Sequence, residues 1–266
     1  MTQAARPGAG GASIVGRSVG KEFETPEGRV TAIQNVSFSI RGGEFVSLIG
    51  PSGCGKSTLM LIVAGLQPAS SGEILVEGAR LDKPLTDVGI VFQDHLLLDF
   101  RTGLDNVLLQ AQIRGKPMVP AREAALKLFD KLGVRHAAER YPKAHSGGMR
   151  QRVSIARALI HEPSMLLMDE PFGALDAITR TQIRHDLELL WMETRKTVLF
   201  ITHSIDEAIG LSDRVLVMSP GPGKIVDEIA IDLPRPRPAH LGEYPSFNAY
   251  AERIHGAFRS MGVIQY

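Results

Sequence analysis

A chain of 266 residues, 44% hydrophobic and 22% charged, can bury a full core as one large α/β domain or two small ones, without disulfide or metal staples. Its 30 Lys and Arg nearly cancel its 29 Asp and Glu, and a net charge of +1 excludes the global basic field of a nucleic-acid binder. The one cysteine, Cys54, has no internal disulfide partner and fits a reducing compartment, and the longest apolar stretch, Leu59 to Leu66, falls far short of the ~20 residues that span a bilayer.

Residues 1–12, rich in Ala and Gly and without an apolar signal core, read as a disordered tail. From Ser13 to about Ile40, alternations such as Val36-Ser37-Phe38-Ser39-Ile40 predict half-exposed strands. The pattern then changes to short, wholly apolar runs: 45–49, 90–92, 165–168, 198–201 and 215–218. Such runs, bounded by Gly, Pro or Asp and separated by helical patterns, predict a parallel sheet covered on both faces. Between Asp94 and Ile160 only helical patterns occur. Pro120 opens a helix that reaches Leu132, and Met149, Val153, Ala156 and Ile160 share one helical face. This reads as an all-helical insertion. Leu233-Pro234-Arg235-Pro236-Arg237-Pro238 predicts an extended strap without a core of its own, and an amphipathic piece around Phe247 to Phe258 is able to dock back on the domain.

The strongest motif, Gly50-Pro51-Ser52-Gly53-Cys54-Gly55-Lys56-Ser57, matches the phosphate-binding loop pattern G-x-x-x-x-G-K-[ST] without a mismatch. It follows an apolar run and opens a helical one. Its glycines let successive backbone N–H groups point at phosphate oxygens, and the helix dipole adds to this. Lys56 would reach the β- and γ-phosphates, and the Ser57 hydroxyl would ligate Mg²⁺. Met165 to Met168 followed by Asp169-Glu170 places two carboxylates at the end of a buried strand. Asp169 suits Mg²⁺, and Glu170 suits orienting or deprotonating a water. Such a string alone can merely end a strand, but the P-loop upstream argues for the site. Gly50, Gln93, Asp169 and His203 each close a different apolar run, so they converge at the carboxyl edge of a parallel sheet, where ligands bind. Ser146-Gly147-Gly148 opens a second helix able to take an anion, although by itself it reads as a plain N-cap.

In this order, the P-loop, Gln93, Ser146-Gly147-Gly148-Met149, Asp169-Glu170, Ala174-Leu175-Asp176 and His203 resemble the nucleotide-binding subunit of ABC transporters, over about Ser13 to Arg237. The resemblance implies an α/β P-loop NTPase core of RecA-like type, with an N-terminal antiparallel β subdomain and a helical subdomain at about 94–160. The cassette would span 13–233, followed by a short extension over 234–266. It further implies ATP bound by residues 50–57 and Thr58, with Phe23 on the adenine. Mg²⁺ would be held by Ser57, Gln93 and Asp169. Glu170 would be the hydrolytic base, assisted by His203 and Gln93. Two copies would close head to tail, each giving Ser146 to Met149 to the other's ATP, with Asp176 communicating across the dimer.

Longer stretches, Ser146 to Val153, Leu167 to Ala177, and Pro222 to Val226 followed by Asp232 to Arg237, look like the nitrate/sulfonate/taurine importer ATPases, a group that also includes bicarbonate and pyrimidine-precursor importers. That implies a membrane permease, indirectly an extracytoplasmic solute-binding protein, no nucleic acid, and a place at the cytoplasmic face of the membrane. A related ATPase serving another solute class or a non-transport process is the alternative. A DNA- or ribosome-directed ABC ATPase would need a coiled-coil insertion or tandem cassettes, and a small-metabolite kinase would lack the Ser-Gly-Gly helix. Three departures stand out. His145 replaces the usual leucine before Ser146, Met149 replaces a glutamine, and Leu98-Asp99-Phe100-Arg101-Thr102-Gly103 replaces a Leu-Pro-Trp-Leu-Thr-Val-like segment that faces the permease in the family.

Overall fold

Strands covered on both faces must be apolar on both, and this sets the architecture. The computed structural model describes residues 11–238 and 241–264. In chain order its elements are β1 (Ile14–Thr25), β2 (Gly28–Ile40), β3 (Phe45–Ile49), α1 (Lys56–Val63), β4 (Ser71–Val76), β5 (Ala79–Arg80), β6 (Val88–Val91), α2 (Gly103–Ile113), α3 (Met118–Lys131), α4 (Gly147–Leu159), β7 (Met165–Asp169), α5 (Ala177–Thr194), β8 (Thr197–Thr202), α6 (Ile205–Leu211), β9 (Arg214–Met218), β10 (Ile225–Ala230) and α7 (Phe247–Ser260).

The central sheet runs β10-β9-β3-β8-β7-β6, parallel throughout except for β10 against β9. Successive side chains alternate between its faces. Val46, Leu48, Leu167, Leu199 and Ile201 point into one core, where α1 contributes Leu59, Met60, Ile62 and Val63. Leu166, Met168, Val198 and Phe200 point into the other, with Leu104, Val107, Phe129 and Val153 from the helices between residues 103 and 159 and with Ile183 and Leu187 of α5. A second, antiparallel sheet, β2-β1-β4-β5, closes over α1. On β2, Val36, Phe38 and Ile40 are buried while Ser37 and Ser39 are exposed, the alternation of a half-covered strand. The helix carrying the phosphate loop is therefore clamped between two sheets.

The helix starts are locally encoded. Thr102 caps α2, accepting from the Asp105 amide at 3.1 Å, and Ser146 caps α4. Pro120 lies in the first turn of α3, where its missing N–H costs nothing, although the helix opens two residues earlier, at Met118. At the far edge α7 buries Ile254 and Phe258 against Ala208, Ile209 and Val215. No helix among the described residues is long and apolar enough to cross a membrane.

One expectation needs correction, and one segment is held more firmly than its sequence suggests. The tail expected over 1–12 lies, for residues 1–10, outside the described residues. Gly11 and Ala12 belong to the fold: the Gly11 amide donates to the Arg195 carbonyl at 3.2 Å, and Ala12 is buried. The arginine strap, extended and without a core of its own, is held against the domain by its arginines. Arg237 is only 2% exposed; it donates to the carbonyls of Ile209 and Ser212, and its amide donates to Glu188 at 3.0 Å. Arg235 donates to Glu188 and to Asp213, each at 2.9 Å, and its guanidinium lies 4.4 Å from the centre of the Trp191 ring. Burial, with the Arg235 charge beside it, pulls the Arg237 pKa down to about 10, so it stays charged at neutral pH. Glu188, itself buried, pairs with the Arg235 guanidinium and accepts from the Arg237 amide. Glu188→Ala leaves Arg235 with Asp213 alone and the buried Arg237 amide without its acceptor, and should cost about 2–4 kcal/mol in denaturant unfolding; a loss below about 1 kcal/mol would show that the strap is not held this way.

Candidate active site

Past the last residue of β3 the chain turns through Gly50 to Gly55 into α1. Gly53 and Gly55 have φ of 76° and 97°, and a Cβ on Gly55 would stand 2.9 Å from the Ala32 carbonyl oxygen, so the loop demands glycine there. Lys56, the first residue of α1, is 5% exposed, and its Nζ donates to the carbonyls of Gly50 at 2.9 Å and Pro51 at 3.0 Å. The ammonium thus braces the loop whose amides it accompanies. Cys54 is buried, and desolvation pushes its thiol pKa up, so it is an inert spacer and no nucleophile.

From the end of β7, two strands from β3, come the carboxylates. Asp169 is half-buried; desolvation raises its pKa, while the Ser57 hydroxyl and then Lys56 draw it back. Its Oδ1 is buried without a hydrogen-bond partner. An orphaned carboxylate oxygen beside a hydroxyl is a hard-oxygen donor set, and it fits a hydrated Mg²⁺. Glu170 adopts φ of 42°, strained for a residue with a side chain, and its amide donates to the Ile201 carbonyl at 2.9 Å. That turn aims its carboxylate between two groups: Oε1 lies 3.9 Å from Lys56 Nζ, and Oε2 lies 3.0 Å from His203 Nδ1. Lys56, Asp169, Glu170 and His203 are thereby brought to one edge, at the carboxyl ends of adjacent parallel strands.

The remaining predicted residues make no bond to this cluster among the described residues. Gln93 is exposed, two residues past β6, and makes no hydrogen bond or ion pair to Ser57, Asp169 or Glu170 among the described residues. Phe23 is half-buried on β1 opposite Val30, and the Lys21 ammonium lies over its ring at 5.1 Å. Ser146 accepts from the Met149 amide at 3.2 Å. Around it, a Cβ on Gly148 would meet the Thr179 side chain at 2.5 Å, and one on Gly147 would meet Leu175 at 3.6 Å. The start of α4 therefore packs on residues 175–179. Asp176 caps α5, accepting from the Thr179 amide at 3.0 Å, and these bonds hold its carboxyl below the usual range.

Sequence reasoning passed over Thr202, Arg180 and Glu207, which stand behind His203. The one available signal was a carboxylate four residues after His203, immediately before the apolar Ala208-Ile209.

His145 is buried, with Nε2 3.1 Å from the Ala137 carbonyl oxygen and Nδ1 unpartnered. Burial lowers its pKa, so a neutral imidazole fills the place before Ser146 and leaves the cap intact. Below the ordinary histidine value of about 6.5 the unfolded chain takes up a proton that the folded chain refuses, so stability falls as pH drops. His95 and His161, also lowered by burial, act in the same direction. His145→Leu should flatten part of that slope while changing stability at pH 8 by less than about 1.5 kcal/mol. An unchanged slope in unfolding measured from pH 8 to 5 would contradict a neutral His145.

The family model described as ABC transporter matches residues 33–173. The chain is 44% identical to an uncharacterised ABC transporter ATP-binding protein of Methanocaldococcus jannaschii, over 82% of this chain and 81% of that protein. It is 41% identical to the aliphatic sulfonates import ATP-binding protein SsuB of Bacillus cereus, over 93% of this chain and 96% of that protein. Among solved structures it resembles a dimeric bacterial ABC transporter cassette at TM-score 0.75 and 32% identity, covering 83% of this chain and 99% of that one. The same cassette in a post-hydrolysis state bound to ADP and Pi gives TM-score 0.73 and 31% identity, with the same coverage. The chain belongs to the ATP-binding cassette family of ABC transporters, and it is an ATPase.

Proposed function

We propose that this ATPase powers solute import, working as a head-to-tail dimer in which ATP lies between one copy's P-loop and the other copy's Ser146 helix. The observation that carries the reading is the division of the site. Lys56, Asp169, Glu170 and His203 cluster at one sheet edge, whereas Ser146 to Gly148 packs on residues 175–179. In this reading the two helix starts serve different nucleotides, and a second copy completes each site.

In this reading residues 50–58 cradle the phosphates, and Phe23 lies at the adenine. Glu170 orients and deprotonates the attacking water, which lets Lys56 stay with the phosphates. The His203 imidazole faces Glu170 at 3.0 Å in the free chain and turns to donate to a γ-phosphate oxygen once ATP arrives. Ser57, Asp169 and Gln93 would hold Mg²⁺, which would supply charge neutralisation to the phosphates. Likeness to a sulfonate-import ATPase over 93% of the chain supports an importer for a small anion or organic solute, with a separate permease, an extracytoplasmic solute-binding protein and a site at the cytoplasmic face of the membrane.

Asn106 shapes the segment that departs from the family pattern: it bonds the amide and carbonyl of Leu98 at 2.7 and 3.1 Å and the carbonyls of Arg101 and Thr102 at 3.2 and 2.9 Å. Phe100 at its tip is 75% exposed. The cage fixes a charged loop with one exposed aromatic, which supports a permease whose contacting helix is matched to it.

Glu170→Gln should bind ATP, accumulate a stable dimer and lose turnover; wild-type hydrolysis in that variant removes Glu170 from the base role. Lys56→Ala forfeits charge-assisted phosphate contacts worth about 1.5–3 kcal/mol each and should bind ATP at least tenfold more weakly. Replacing Asp99→Pro, Phe100→Trp and Arg101→Leu together should leave the ATPase of the isolated subunit intact but weaken its stimulation by its own permease. Undiminished stimulation would count against the matched-partner reading.

A further inference from the structure

Behind the hydrolytic pair lies an ionic cluster that this reaction scheme does not use. Glu207, in the first turn of α6, is 5% exposed and faces inward. Its Oε2 accepts from the Thr202 hydroxyl, and its Oε1 lies 3.7 Å from Arg180 Nε. With its proton committed to Glu207, the Thr202 oxygen accepts from the Ser204 amide at 3.0 Å. His203 therefore sits between two residues pinned to each other. On the other side Arg180 donates to the Leu175 carbonyl at 2.9 Å, within the 174–176 segment that follows Glu170. A continuous polar path thus runs from Leu175 through Arg180, Glu207 and Thr202 to the backbone on either side of His203.

Filling this space does not by itself require a carboxylate. Desolvating an ion costs several kcal/mol, and an apolar side chain would fill the same volume. Burial indeed pushes the Glu207 carboxyl up, with Thr202, Arg180 and His203 opposing and Glu170 adding to the push. Such a group is worth keeping where its hydrogen-bond directions set a neighbour's geometry.

We propose that Arg180 and Glu207 are positioning residues for ATP hydrolysis: they tie the 174–176 segment to the backbone around His203, so that contact on that segment sets the imidazole against Glu170. The proposal rests on Glu170 and His203 acting as the hydrolytic pair. Its test is steady-state ATPase of the full chain for Glu207→Gln, Arg180→Ala, Arg180→Lys and the double variant Arg180→Ala/Glu207→Gln, with His203→Ala alongside. ATP affinity by equilibrium titration and the denaturation midpoint are measured on each.

Each single loss should lower kcat by about tenfold while KM and ATP affinity stay within about twofold. The double variant should be no worse than the poorer single variant, because both cut one path. Arg180→Lys should recover part of the Arg180→Ala loss. The proposal is overturned if kcat is unchanged, if kcat falls only in step with KM or stability, or if the two losses multiply in the double variant. If His203→Ala itself turns over normally, the hydrolytic reading fails and the proposal falls with it. If His203→Ala is inactive while the Arg180 and Glu207 variants are normal, this proposal alone fails.

Discussion

A parallel sheet sealed on both faces leaves polar chemistry only its edges, and that constraint organises the whole molecule. β3, β7 and β8 send alternate side chains into two dry cores, so no charged group along their lengths has anywhere to go. The charge appears where the strands end: Lys56 just past β3, Asp169 and Glu170 at the end of β7, and His203 just past β8. Because neighbouring strands run in register, residues more than a hundred positions apart in sequence arrive within a few ångströms. The buried ammonium of Lys56, braced by Gly50 and Pro51, is the positive pole of that edge, and Glu170 is the negative one.

The helices settle the rest of the geometry. α1 is clamped between the two sheets, so the loop that precedes it is anchored at both ends and its left-handed glycines are held in place. The helical region over 103–159 covers the opposite face and carries Ser146 outward, against Leu175 and Thr179.

Much of this was readable in the residues because the local and global requirements agree. The runs 45–49 and 165–168 predict strands to within a residue, since a strand buried on both faces must be apolar without interruption. The alternation over 36–40 marks a strand covered on one side only. What was not readable depends on partners distant in sequence. Arg237 looks like a solvated strap residue until Glu188 and the carbonyls that end α6 are found around it. Glu207 gave little warning, because an acid in the first turn of a helix is ordinarily a surface feature. Its inward turn depends on Arg180, contributed by a different helix.

The central claim is that each ATP site is built from two copies of this chain, and mixing two defective chains tests it most directly. One chain carries Lys56→Ala and keeps its Ser146 helix; the other carries Ser146→Arg and keeps its P-loop. Each alone should be inactive. In a mixed head-to-tail dimer one site pairs the intact P-loop with the intact helix, so mixing should restore ATPase, and the recovered rate should rise with the proportion of mixed dimer. A site built within one chain leaves both partners defective, so a mixture no more active than its components would contradict the account.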